Sequence, residues 1–555
     1  MAAVTKEMPP VWTTGWTDVL NTGTWRSATP LHQERPSPCR VACPAGGNIP
    51  VWLQQVREGR HHLAWLTLVA ENPFPAVTGR VCRHPCEDSC NRGEYDGAVA
   101  INALEQYIGD LALEEGWPLP EPAARRDIKV AVIGGGPAGL SCAYQLRLRG
   151  YGVTVFEAQP EPGGVMRYGI PGYRLPKEIV DREIQRLLAT DIEVRTGAAV
   201  RGEDLAALER DFAALCLATG APRAKTLPQF GGLDGRVLNG LEFLLNVNRN
   251  NIPPLGRQVA VIGGGSVAMD VARTARRLGR QVKVLALEDR SSLPAQPREV
   301  QEALEEGVVI RDGVMVREAA ADGDGINLAC ARVVLDPAAP PGALRPIVLP
   351  GTDFQIPADT VILAVGQDPD LGGFPDSLGV QNQVLEVDAG QATGRAGVFA
   401  CGDVAASRRY MAEAIGSGKR AALGIEAFLE GRRADGGAGM SAPDSVSFKE
   451  INTFYFPIVP RTERKTAAPD LRLQDFREVR LALPGEEARI QVERCFSCGH
   501  CLKCDNCYYF CPDLAVIKDP SPENGYHVQD QYCKGCGLCV EECPRGAILL
   551  KEVKR

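Results

Sequence analysis

The sequence predicts a multidomain chain in which two Rossmann-like α/β units, one inserted in the other, lie between cysteine-rich ends. Three observations carry this. Two segments read as strand, Gly-rich turn, amphipathic helix and second strand. The 19 cysteines crowd toward the ends, ten of them between Cys495 and Cys543. The 555 residues, 45% hydrophobic and 23% charged, are an ordinary globular balance, long enough for roughly three to five domains.

The first α/β unit opens at KVAVIGGGPAGLSCAYQLRLRGYGVTVFE, from Lys129. Gly134, Gly136 and Gly139 form G-x-G-x-x-G. The first glycine allows the tight turn, the second lets backbone approach a pyrophosphate, and the third packs helix on strand. Glu157 follows 23 residues after Gly134, placed to take ribose hydroxyls. The motif alone is weak and also fits an empty α/β turn, but the strand context and the acid point to a dinucleotide site. A second copy, QVAVIGGGSVAMDVARTARRLGRQVKVLALE, puts Gly263, Gly265 and Ala268 in the glycine positions and Glu288 after its second strand. Two dinucleotides are therefore expected.

Farther on, TGRAGVFACGD ends in Gly402 and Asp403 and resembles the second flavin fingerprint of two-dinucleotide flavoproteins. That likeness implies FAD at the first loop, with the aspartate on the ribityl chain. The expected layout is an FAD domain over 126–253 and 366–431, with an inserted nicotinamide domain over 254–365. A linker and packing segment follows over 432–490, flexible at GRRADGGAGMSAPDS and packed at INTFYFPIVPRTERK.

The C-terminal domain, 491–555, carries C-x2-C-x2-C-x3-C-P twice: Cys501, Cys504, Cys507, Cys511 before Pro512, and Cys533, Cys536, Cys539, Cys543 before Pro544. This is the bacterial-ferredoxin pattern, an α+β domain in which each fourth cysteine ligates the other copy's 4Fe-4S cluster. One cluster is expected on Cys501, Cys504, Cys507 and Cys543, the other on Cys511, Cys533, Cys536 and Cys539. Zinc, the competing use of C-x2-C, wants two pairs of ligands rather than a run of three and a fourth before proline.

A net charge of −8 without clustered Lys and Arg argues against nucleic acid. No apolar run approaches membrane length, and the start MAAVTKEMPPVWTTG lacks a secretory pattern, so a cytoplasmic protein without a transmembrane segment is expected. Cys142, Cys216, Cys330 and Cys401 are single in apolar context and read as core residues. His61 and His62 fall on a surface helix and take no role. Trp12, Trp16 and Trp25 near the start suit a partner contact or a partly ordered tail.

Several motifs together, NPFPAVTGRVCRHPCEDSC, GGGPAGL, MRYGIPGYRLP, GGGSVAMD and VFACGD, resemble the family of the glutamate synthase small subunit and the N-terminal half of dihydropyrimidine dehydrogenase over residues 30–430. The resemblance implies an α-helical iron–sulfur N-terminal domain over 1–125, two 4Fe-4S clusters in it, and an FAD that exchanges hydride with a nicotinamide. It also implies that GGVMRYGIPGYRLP, with Gly164, lies on the flavin side.

Two departures stand out. NADPH-using relatives carry a Tyr-Arg-Arg run where this chain has Ala286, Leu287 and Glu288. A carboxylate there accepts from a free 2′-hydroxyl and repels a 2′-phosphate, which favours NAD(H) over NADP(H), although Arg290 and Arg298 are near in sequence. The family's C-x2-C-x4-C-x3-C-P also keeps only Cys39 and Cys43 before Pro44. Carried over position by position, one cluster takes Cys43, Cys82, Cys86 and Glu105, and the other is left with Cys39 and Cys90. The lost pair resembles the R-C-x-x-C-G that here supplies Cys495 and Cys498. Cys39, Cys90, Cys495 and Cys498 are then expected to hold a fourth cluster that clamps the two ends together. The plainer alternative leaves Cys495 and Cys498 free, with three clusters.

A nicotinamide exchanges electrons in pairs and a cluster singly, and FAD does both, so the order NAD(H), FAD, N-terminal clusters, ferredoxin-like clusters follows. The expectation is an NAD(H)-linked electron-transfer flavoenzyme. Its partners would be ferredoxin or the catalytic subunit of a larger complex, such as a 2-oxo acid or aldehyde oxidoreductase or an aromatic thioester reductase. The alternatives are an NADPH-fed glutamate synthase small subunit and a non-enzymatic iron–sulfur scaffold.

Overall fold

The computed structural model describes residues 21–233, 235–340, 344–406, 408–432, 445–518 and 525–553. The strand Lys129–Ile133 is central in a five-stranded parallel sheet, ordered Val398–Ala400, Ala214–Leu217, Lys129–Ile133, Gly152–Phe156, Glu193–Arg195. Its residues Val130, Ala131 and Val132 are fully buried, as the near-continuous apolar run of a strand covered on both faces requires. Helix Pro137–Leu148 follows the Gly-rich turn, and the long helix Met411–Leu429 packs beside it, with the Ser141 hydroxyl donating to the Ile415 carbonyl at 2.9 Å.

The second parallel sheet runs Val309–Arg311, Gln281–Leu285, Gln258–Ile262, Thr360–Leu363, Val237–Asn239. An antiparallel layer of Val314–Asp322, Gly325–Leu335, Pro346–Val348 and Phe354–Ala358 shares a core with it through Leu285, Val316, Leu328, Ile356 and Val361. This corrects the expected start of the inserted domain at 254. Strand Val237–Asn239 pairs in parallel with Val361–Leu363, and helix Gly240–Asn248 puts Phe243 and Leu244 into the core of Met269 and Val271. The insertion therefore begins before residue 237. The two crossings between the units, Arg223–Ala224 and Gln367–Asp368, pair with each other antiparallel.

Near the start of the chain, helices Ile49–Arg57, His61–Val69, Pro75–Val81 and Ile101–Glu114 enclose Trp52, Leu53, Trp65, Val77, Leu104 and Ile108. This core is continuous with Tyr144, Val180 and Ile184 of the first α/β unit, so the two pack as one body. His62 lies exposed on its helix, its ring 5.1 Å from that of Trp117.

The expected helical unit 1–125 also needs correction. Strand Ala28–His32 pairs antiparallel with Ile548–Glu552, from Ala28 opposite Glu552 to His32 opposite Ile548, and the Gly23 amide donates to the Gln531 carbonyl at 2.9 Å. The early segment thus completes the C-terminal domain, whose other pair is Val516–Lys518 with Tyr526–Val528. Trp25 ends the short helix Thr22–Trp25. Trp12, Trp16 and the stretch 433–444 of the expected linker lie outside the described residues.

From Arg461 to Arg480 the chain forms a strap across three units, meeting the flavin unit where the Val479 amide donates to the Tyr173 carbonyl at 3.0 Å. Arg461 pairs with Glu87 at 2.6 Å, Arg464 donates to Asn102 and Gln106, and Glu478 meets Arg80 at 2.9 Å, all on the N-terminal helices. Arg472 and Arg480 then reach Glu305 and Glu302 of the inserted domain, each at 2.8 Å. Among the described residues no helix is long and apolar enough to cross a membrane.

Candidate cofactor and cluster sites

Gly134 turns the chain off the central strand with φ of 112°, and a side chain there would stand 2.3 Å from the Ala218 carbonyl. Gly263 repeats this in the second unit, with φ of 133° and the Ala364 carbonyl 2.3 Å from where a Cβ would be. Left-handed backbone pressed on a neighbouring strand admits little but glycine. Gly136 and Gly265 begin their helices with nothing nearer than 3.9 Å to such a side chain, so each turn has an open face in front of a helix N-terminus. That is the cradle a pyrophosphate needs. Gly139 and Ala268 pack inside, on the first turns of the same two helices.

The acids stand where the two turns need them. Glu157 accepts from the Gly135 amide at 2.7 Å and from the Gln159 amide at 2.7 Å. Glu288 is buried, with a carboxylate oxygen 2.8 Å from where a Gly264 side chain would begin. Arg290 is engaged with Asp312 at 3.0 Å and the Ile310 carbonyl at 2.9 Å, and Arg298 lies 3.5 Å from Glu302.

Gly164, at φ of 50°, would place a side chain 2.8 Å from the Gly136 Cα, which sets the GGVMRYG loop directly over the first turn. Gly402 approaches the start of the same helix, 2.8 Å from the Ala138 Cβ by the same measure, and its amide donates to Ser417 at 2.9 Å. Burial pushes the carboxyl of the adjacent Asp403 up against the pull of Arg409. A half-buried acid beside the first turn suits a ribityl hydroxyl. These features fit FAD at the first turn and a nicotinamide dinucleotide at the second.

The cysteines fall into four groups. Cys39, Cys90, Cys495 and Cys498 line one cavity, closed by Leu53 and Ile101. Burial, and then the neighbouring Cys90 sulfur, push the Cys39 thiol far up, and Cys495 and Cys498 add to it. Polar hydrogens already face these sulfurs: the Ser497 amide donates to Cys495 at 3.3 Å, Asn91 donates to Cys498 at 3.4 Å, and the Ser37 hydroxyl lies 3.1 Å from Cys39.

In the second group, burial raises the Cys43, Cys82 and Cys86 thiols first, Glu105 then adds to Cys43 and Cys82, and Cys43 and Cys82 add to Cys86. Glu105 is not a solvated acid. Thr78 and Asn72 donate to one oxygen at 2.8 and 3.0 Å, and burial pushes its carboxyl up to about 7.

The third and fourth groups lie in the C-terminal domain. Cys501, Cys504 and Cys543 all raise the Cys507 thiol after burial does. Cys511, Cys533, Cys536 and Cys539 line a second cavity. Cys504 and Cys536 are exposed.

Among the described residues no three or more of these donors converge tightly enough for one metal ion. Four thiols around a void suit instead a cubane, whose ligands stand at separated corners. Crowded buried thiols stay protonated until iron supplies positive charge, so cluster assembly and folding are linked. Cys142, Cys216, Cys330 and Cys401 are buried, with Cys216 and Cys401 sulfurs 3.5 Å apart.

The sequence reading missed Asn91 and Arg545 at these groups and the grip of Glu34, whose carboxylate accepts from the Cys501 amide at 3.3 Å and meets His500 at 3.0 Å. Only Arg545 carried a signal, directly after the second Cys-Pro.

The family described as pyridine nucleotide-disulphide oxidoreductase matches residues 128–421. Dihydropyrimidine dehydrogenase domain II, with a 4Fe-4S cluster, matches 31–117, and the 4Fe-4S dicluster domain matches 500–547. The NADP(+)-dependent formate dehydrogenase subunit beta of Moorella thermoacetica is 34% identical over 502 residues, 83% of this chain and 70% of that one. The glutamate synthase [NADPH] small chain of Azospirillum brasilense is 35% identical, covering 71% of this chain and 86% of its own. The NADPH-Fe(3+) oxidoreductase subunit beta of Geobacter sulfurreducens is 34% identical, covering 71% of this chain and 64% of its own. With these matches spanning the turns, the acids and both cysteine-rich ends, the chain belongs to the FAD- and iron–sulfur-containing NAD(P)H oxidoreductases related to the glutamate synthase small subunit and the N-terminal half of dihydropyrimidine dehydrogenase.

Proposed function

We propose that this flavoenzyme is the NAD(H)-linked electron-converting subunit of a larger redox complex, with NADH preferred over NADPH. The observation that carries the preference is the buried Glu288 carboxylate against the second Gly-rich turn, with Arg290 and Arg298 engaged elsewhere. In that position a carboxylate binds a 2′-hydroxyl and repels a 2′-phosphate. When bound, FAD supplies the change from electron pairs to single electrons that links a nicotinamide to iron–sulfur clusters. The chain's own residues position and insulate: the Gly-rich turns seat pyrophosphates, Glu157 and Asp403 hold sugar hydroxyls, and Arg174 and the strap fix the inserted domain against the flavin unit.

The four donor groups are assigned as ligand sets: Cys43, Cys82, Cys86 and Glu105; Cys39, Cys90, Cys495 and Cys498; Cys501, Cys504, Cys507 and Cys543; Cys511, Cys533, Cys536 and Cys539. The partner is ferredoxin or a catalytic subunit, for which a 2-oxo acid, aldehyde or aromatic thioester enzyme fits the electron currency. Exposed Cys504 and Cys536 support an exit through the C-terminal domain.

Anaerobic reduction of the purified chain by NADH and by NADPH, followed in the flavin and iron–sulfur absorption bands, tests this reading. Rapid bleaching by NADH alone is expected. A preference for NADPH, the nucleotide in the names of two of the relatives, selects the glutamate synthase type of subunit instead. Iron near eight per chain, rather than about sixteen for four clusters, sinks the ligand assignment.

A further inference from the structure

Arg545 is a cation in an odd place. It follows Cys543 by two residues, and its guanidinium donates to the carbonyls of Phe496 and Cys495, while its own carbonyl accepts from the Gly499 amide at 2.7 Å. It therefore joins the segment bearing Cys495 and Cys498 to the segment bearing Cys543. Those two ligand groups are also neighbours along the chain, since Cys498 and Cys501 are three residues apart.

The guanidinium lies 4.9 Å from the Phe456 ring, and its Nε is buried without a partner. Among the described residues no carboxylate pairs with it: burial and then Arg57 oppose its charge, and Cys495, Cys504 and Cys498 favour it. Its neighbours Arg35 and Arg92, by contrast, pair with Glu450 and Asp96 at 2.6 and 2.5 Å. Arg545 is half-buried, and a guanidinium partly taken from water without an anion is unfavourable. A 4Fe-4S cluster on four cysteinates is such an anion, and its charge deepens by one on reduction, so a fixed cation beside it favours the reduced form.

Resting on the ligand sets proposed above, we propose that Arg545 is the shared counter-charge of the cluster on Cys39, Cys90, Cys495 and Cys498 and the cluster on Cys501, Cys504, Cys507 and Cys543. It raises both potentials together and so leaves the step between the N-terminal and C-terminal domains unchanged while making both clusters easier to reduce. Arg545 touches no reacting atom and is a positioning residue in this role.

The test is an EPR-monitored redox titration of the whole chain, unaltered and as Arg545→Gln and Arg545→Lys, with iron counted in each. Signals are assigned with Cys39→Ser and Cys504→Ser. In Arg545→Gln the reduced-to-oxidised ratio of these two clusters at a fixed poise is expected to fall about tenfold, a shift of about 59 mV for a one-electron centre. The other two clusters should not move, and Arg545→Lys should keep the original midpoints. Unmoved midpoints at full iron, or equal shifts in all four clusters, overturn the proposal. If Arg545→Gln loses iron, Arg545→Lys decides: retained iron and midpoints support the charge, and their loss reduces Arg545 to a backbone clamp. Iron near twelve in the unaltered chain instead refutes the ligand sets, and the proposal with them, whereas near sixteen with unmoved midpoints refutes only Arg545.

Discussion

Arg174, from the GIPGYRLP loop of the flavin unit, reaches Asp270 on the helix that follows the second Gly-rich turn at 2.7 Å and Glu299 on another helix of the inserted domain at 2.6 Å. Both carboxylates are buried, and burial pushes the Asp270 carboxyl up while Arg174 draws it back. Replacing Arg174 by Met strands two buried acids, at a cost of about 3–5 kcal/mol. Because unpaired buried carboxylates hold protons more tightly in the fold than unfolded, the deficit should grow as pH rises through the carboxylate range. Thermal unfolding over pH 5–8 measures it. Flavin content should persist, while flavin reduction by NADH slows roughly ten- to a hundredfold as docking loosens.

Glu288 decides the nicotinamide in the proposed reading. Glu288→Arg removes the acceptor for the 2′-hydroxyl and offers a cation to a 2′-phosphate. A charge-assisted hydrogen bond of about 1.5–3 kcal/mol corresponds to a loss of about ten- to a hundredfold in kcat/KM for NADH, with NADPH improving. Steady-state dye reduction with both nucleotides checks this. An unchanged ratio moves the selector elsewhere.

Cys498→Ala tests the joint between the ends. Iron should fall by about four atoms per chain, the 2× cluster signature of the C-terminal domain should remain, and limited proteolysis should open the strap near Arg461–Arg480. Full iron retention would mean that the cavity of Cys39, Cys90, Cys495 and Cys498 holds nothing.

Spacing made the turns, the end acids and the ferredoxin-like cysteines legible, because those chemistries need fixed local separations. The grouping of Cys495 and Cys498 with Cys39 and Cys90 was reached only through a displaced R-C-x-x-C-G. The strand Val237–Asn239 was missed because three residues carry no period, and its assignment depends on a partner more than a hundred residues on. The pairing of Ala28–His32 with Ile548–Glu552 is nonlocal in the extreme. The packing of INTFYFPIVPRTERK was legible from its aromatics, but not what its continuation grips, since nothing local announces Glu302 and Glu305 as partners of Arg480 and Arg472.

His32 gives that end-to-end strand pair a pH dependence. Its ring stacks on Tyr526 at 5.6 Å, its Nε2 is buried without a partner, and burial lowers its pKa to about 4. A base whose pKa is lower folded than unfolded binds fewer protons in the fold, so its contribution is full above about 6.5 and is lost as pH falls toward about 4. If strand Ala28–His32 opens locally, the opening constant should rise about tenfold per pH unit across that window. Hydrogen exchange of the Ala28–His32 amides between pH 6.5 and 5, corrected for intrinsic rates, reads this directly. His32→Phe keeps the stacking and should flatten the dependence; an unchanged slope would place the titrating group elsewhere. Because Glu34 and Cys39 follow this strand and meet the segment of Cys498 and Cys501, acid release of the strand should also loosen the seam between the two cluster-bearing ends before the α/β core responds.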